Sequence, residues 1–95
     1  MFQELKDYLK ITWDNEDSYL QSIIAKGEKY LKDLTGTELD FEEEGQAKSL
    51  LFDYCRYYYN NAIEYFEGNF QQEILRLQLK EAAKDFKKEA VADEG

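Results

Sequence analysis

A chain of 95 residues is long enough for one domain core and too short for two. Its net charge of −9, from 21 acidic and 12 basic side chains, repels phosphate backbones and argues against direct nucleic-acid binding. One cysteine and no histidine exclude an intrachain disulfide, a zinc site and a histidine-activated nucleophile.

The apolar share of 43% and aromatic share of 16% point to a folded chain despite the many charges. The opening MFQELKDYLK lacks the apolar stretch of a secretion signal, and no window approaches the length of a membrane span. A soluble protein made in the cytoplasm is expected. Proline is absent, glycines are few and strand-like alternation never persists, so the elements should be helices.

In chain order, Phe2, Leu5 and Leu9 predict a short first helix over residues 2–9. ITWDN interrupts it, and Asp14 or Asn15 offers an N-cap, with Asp17 at capping-box spacing from Asp14. A second helix is predicted from Glu16 to Leu34, ended by Thr35-Gly36. Its core arc comprises Tyr19, Leu20, Ile23, Ile24, Gly27 and Tyr30, continuing to Leu31 and Leu34. Thr37–Gly45 carries five carboxylates without the alternating ligands and central glycine of a calcium loop, so it reads as the lead into a third helix.

That third helix is expected from Glu43 to Phe66 or Glu67, broken by Gly68. Its polar stripe is Ser49, Asp53, Arg56, Asn60, Glu64 and Glu67. Ala47, Leu50, Leu51, Tyr54, Tyr58, Ala62 and Tyr65 make an apolar face. Phe52, Cys55, Tyr59, Ile63 and Phe66 flank it on one side and Tyr57 on the other. So wide an arc suits either a central helix covered by its neighbours or a helix with one flank left for another subunit. Asn69 is expected to cap a fourth helix from Phe70 to Glu89, followed by a disordered tail over 91–95. On it, Phe70, Ile74 and Leu77 share one stripe, whereas Leu75, Leu79, Ala82 and Phe86 share another about 140° away. Two stripes imply either two contacts or a bend. The fold class is thus all-α: a small bundle of one short and three longer helices in a single domain over residues 1–90.

Basic residues gather late, at Arg76, Lys80, Lys84, Lys87 and Lys88. They suit a helix C-terminus, or an acidic patch on a partner or neighbouring copy. No phosphate-binding glycine loop is present, and the many carboxylates form no recognisable acid–base pair. Neither an enzyme nor a cofactor or metal site is expected.

The block LKDYLKITWDNEDSYLQSIIAKGEKYLKDLTG, followed by AKSLLFDYCRYYYNNAIEYFEGNFQQEILRLQLKEAA, resembles the head–tail connector (adaptor or head-completion) proteins of long-tailed bacteriophages and prophages. The likeness covers about residues 3–85 and rests on helix order and spacing, with Asp14–Asp17, Gly36 and Tyr54–Tyr59 matching most closely as structural positions. It implies a virion protein at the head–tail junction, present in the host cytoplasm during assembly. Its implied partners are the portal, a tail-completion or stopper protein and further copies of itself in a ring. DNA passes only as cargo; no membrane or small-molecule substrate is implied. The surfaces expected to make these contacts are the flank Phe52, Tyr59, Ile63 and Phe66, the stripe Leu75, Leu79 and Phe86, and the cations Arg76, Lys80 and Lys84. A small acidic binder, mimicking nucleic acid at a basic site of a host enzyme, is the alternative reading of Glu38–Glu44 and the net charge.

Overall fold

A computed structural model describes the backbone of residues 1–94 and the side chains of residues 1–84. Phe86, Lys87, Lys88 and the expected 91–95 tail therefore have side chains outside the described residues. The elements are α1 (Phe2–Leu9), α2 (Asp17–Thr35), α3 (Gln46–Tyr59), a 3₁₀ turn (Ile63–Tyr65), α4 (Phe66–Asn69) and α5 (Gln71–Glu94). No strand occurs among the described residues, so the chain is all-α, but with five helices rather than four.

Each boundary has a local cause. α1 stops because Lys10 turns left-handed, φ 62°, so that its N–H reaches Asp7 O and the Ile11 N–H reaches Lys6 O. That pair of bonds is a Schellman motif, and it points Ile11 into the core. A lysine in this conformation costs about 1–2 kcal/mol, so the motif persists because the buried Ile11 and the closed carbonyls offset it. α2 ends where the sequence predicts, on left-handed Gly36, whose N–H bonds Lys32 O at 2.8 Å.

The predicted long third helix is corrected at both ends. Asp40 Oδ1 accepts the N–H groups of Glu42 and Glu43, folding the acidic run into a turn and delaying α3 to Gln46. At the far end Asn61 is left-handed, φ 58°, with its N–H on Tyr58 O and the Ala62 N–H on Tyr57 O. Asparagine is the side chain besides glycine that tolerates this cap, and it stops α3 at Tyr59. Gly68 does not break the chain; it lies inside α4, and Asn69 spends its amide on the Tyr57 hydroxyl rather than on a cap.

α2 and α3 pack face to face through Gly27. A Cβ there would stand 2.7 Å from Leu51 Cδ1 and 2.8 Å from Tyr54 Cδ1, so the missing side chain sets their close approach. Around the seam Leu20, Ile23, Leu31, Leu50, Leu51 and Cys55 are fully or almost fully buried. The remaining helices flank this pair. α1 meets α3 at Lys48 and Phe52, through Glu4 and Tyr8. α5 and the residue that leads into it, Phe70, meet α3 at Gln46 and Tyr57, through Glu73 O and the Phe70 ring. On α3 those two sets of positions lie roughly 150° apart, so α1 and α5 occupy different sides of it.

Candidate interaction surfaces

The turn after α3 resets the helical phase, and this redistributes the aromatic residues. Phe66, expected on an interface flank, is buried within this chain, its ring centroid 5.5 Å from Tyr54, 6.0 Å from Tyr57 and 5.0 Å from Phe70. Cys55, placed on the same flank, is also buried, and desolvation, followed by the charge of Glu28, pushes its thiol up to about 12. A thiol held so far above neutrality is no nucleophile. Tyr65 moves the other way: expected on the core face, it is 62% exposed. Phe52, Tyr59 and Ile63 are half-buried, packed on the core with an edge open.

The two stripes of α5 belong to one helix. Ile74 and Leu77 are buried against the rest of the chain, and Gln78 Nε2 bonds Leu34 O at 2.9 Å. Leu75 and Leu79 point away and stand 52% and 61% exposed, with Ala82 exposed beside them. Of the cations singled out on α5, Lys84 pairs with buried Glu81 at 3.3 Å. Lys80 and Lys84 also line a cleft of about 250 Å³ whose opposite wall is the acidic run, at Glu38, Asp40, Glu43 and Glu44. Part of their charge thus answers carboxylates of the same chain. Arg76 is exposed and pairs with no carboxylate among the described residues.

A second exposed apolar face was not legible in advance. Tyr8, Trp13 and Tyr19 are all exposed. Helical spacing places Tyr19 in the core arc of α2, and ITWDN reads only as a helix break. The structure joins them to the flank of α3. The Tyr8 ring lies 5.7 Å from Phe52 and the Tyr19 ring 6.4 Å from Tyr59. Glu16 accepts from both the Tyr59 hydroxyl, at 2.7 Å, and Trp13 Nε1, at 2.5 Å. Those two bonds, Tyr59 first, hold the Glu16 carboxyl below its ordinary range. Tyr8 donates to Asp53 at 2.7 Å. The one signal available was the unusual exposure of large aromatic residues in a polar stretch, and it requires the fold to be read.

Two buried ammoniums brace this side. Lys6, 4% exposed, bonds Asp14 at 2.7 Å and Asp17 at 2.9 Å, so these aspartates tie α1 to α2 instead of capping α2. Lys48, 5% exposed, bonds Glu4 at 2.8 Å and Glu44 at 2.5 Å, tying α3 to α1 and to the acidic run. The paired carboxylates raise both lysines above their usual range, Asp14 first for Lys6 and Glu4 first for Lys48. Glu38 pairs with Lys32 at 3.0 Å and Glu42 lies 3.9 Å from the N-terminal ammonium. The acidic run is therefore bound into the scaffold at several points.

Among the described residues no group of carboxylates and cysteine is placed to hold a metal, and no helix is long and apolar enough to cross a membrane. What the geometry defines is a small helical protein with two exposed apolar faces on a tightly tied scaffold. Its sequence matches the model of the phage gp6-like head-tail connector proteins over residues 1–90, and the chain belongs to that family. Membership makes it a structural, non-enzymatic protein of a phage virion that works through contacts with other head and tail proteins. No curated protein and no solved structure matches the chain.

Proposed function

We propose that the chain is a ring-forming adaptor, placed between the portal and a tail-completion or stopper protein, through which the genome passes as cargo. The observation that carries this reading is the outward stripe of α5. Two leucines more than half exposed, on a helix whose opposite side buries Ile74 and Leu77, leave apolar surface that a partner can cover. The half-buried edges of Phe52 and Tyr59 supply the second contact, while Ile63, beyond the turn, lines a cleft with Tyr30, Tyr54 and Phe66 instead. Arg76 and the outer edges of Lys80 and Lys84 supply charge for steering. Phe66 has no part in it, since this chain already buries it. The surplus of carboxylates suits a channel past which DNA must slide without sticking.

The test is Leu79→Asp and Tyr59→Lys, each mixed with the cognate portal and sized by light scattering. Both variants are expected to keep helical circular dichroism and to lose the assembled species. Undiminished portal binding and assembly in both variants would show that neither face takes part.

A further inference from the structure

We propose that copies of this chain meet head-to-tail, the outward stripe of α5 on one copy seating on the aromatic, acidic face beside α1 on the next. This rests on the adaptor reading and adds which face meets which. Two copies of a protein with net charge −9 repel one another, so a contact between them needs one side poor in exposed carboxylate. The outward side of α5 is such a surface. Between Gln71 and Lys84 its two acids are Glu73, half-buried, and Glu81, buried and paired; Glu67, in the cleft beside Leu75, accepts from the Tyr30 hydroxyl, and Arg76 is exposed and pairs with no carboxylate among the described residues.

The face beside α1 is the complement. Tyr8, Trp13 and Tyr19 are exposed there, and Asp7, Asp14, Glu16, Asp17 and Asp53 outnumber the nearby Lys6, Lys10 and Arg56. Its rings are pre-oriented by the hydrogen bonds of Tyr8 to Asp53 and of Trp13 to Glu16, so little side-chain freedom is lost when leucines cover them. Pairing this face with itself would set carboxylate against carboxylate. Pairing α5 with α5 would set Arg76 near Arg76 and leave three aromatic rings bare. The two faces lie on different sides of α3, so a contact between unlike faces leaves one of each free and can propagate until it closes.

Thiol cross-linking with a short bis-maleimide tests the pairing on the full-length chain without any portal. Thr12→Cys marks the aromatic face and Gln72→Cys the α5 stripe, both at exposed positions that leave the rings and leucines in place. Cys55 is buried and stays silent. Each variant alone is expected to remain uncross-linked. Their mixture should give a covalent pair that stops at two chains, and the doubly substituted chain should give a ladder. Arg76→Glu in the Gln72→Cys chain, or raised salt, should lower the mixed product several-fold. Cross-linking of either variant with itself as strongly as in the mixture, or no product in any arm, overturns the head-to-tail pairing. Portal capture with a symmetric cross-link would sink the pairing and spare the adaptor reading. A mixed pair without portal capture would do the reverse.

Discussion

Leu51 and Leu79 are the same side chain on two amphipathic helices of one small protein, with opposite surroundings. Leu51 is 0% exposed, wedged against the backbone of Gly27 where α2 and α3 approach most closely. Leu79 is 61% exposed on a helix whose other stripe is already packed. Burying a leucine stabilises a fold by about 1.5–3 kcal/mol, so Leu51 contributes that to the monomer and Leu79 has most of it still to give. The α2–α3 seam is where folding spends its apolar surface; the α5 stripe and the rings beside α1 are where some is held back. For a family that works by contact with other virion proteins, the withheld surface is the part that carries function.

The sharpest way to probe that difference is to shorten each leucine. Leu51→Ala removes a fully buried side chain from between α2 and α3, and a loss of about 2–5 kcal/mol is expected. Urea unfolding followed by circular dichroism measures it. A loss below about 1 kcal/mol would mean that the seam is not the centre of the fold.

How far the sequence leads follows the same division. α1 and α2 are legible because their apolar spacing and the Thr35-Gly36 stop are local signals. The two stripes of α5 are legible too, since an uninterrupted helix keeps its phase. The end of α3 is not legible because Asn60 fits the polar stripe of a continuing helix; only the left-handed Asn61 beside it makes a stop. The helical phase resets beyond it, which is why Phe66 is buried and Tyr65 exposed. The buried lysines were invisible for another reason. Lys6 and Lys48 are held by carboxylates brought together by tertiary structure, and Lys48 meets Glu4 across 44 positions of chain. The aromatic face shares that limit, joining Tyr8 to Phe52 and Tyr19 to Tyr59 across distant parts of the sequence.

The scaffold side of the comparison also predicts a pH response. The Lys48 ammonium, by hydrogen bond first, holds the Glu4 carboxyl below its ordinary value of 4.5. A carboxyl depressed by folding adds stability above its unfolded pKa and loses it as pH falls through the folded one. Glu4→Gln removes that titration while keeping an acceptor for Lys48. The gap in stability between the native chain and this variant should therefore be open at pH 6 and narrow steadily below about pH 4.5. Thermal unfolding at stepped pH reads it. A gap that stays constant down to pH 3 would show that Lys48 does not depend on the charge of Glu4.

The smallest expected effect is the most telling. Leu79→Asp replaces an exposed leucine at a position with polar and basic neighbours, Arg76, Gln78 and Lys80. The lost helix propensity is a few tenths of a kcal/mol, and a carboxylate near those cations returns part of it. Monomer stability should therefore change by no more than about 0.5 kcal/mol. Assembly should nevertheless fail, because the same charge would be buried unpaired once a partner covers the stripe. A destabilisation as large as that of Leu51→Ala would place Leu79 in the monomer core and abolish the distinction between the two leucines. A stable variant that no longer assembles would tie the loss to the surface that folding leaves uncovered.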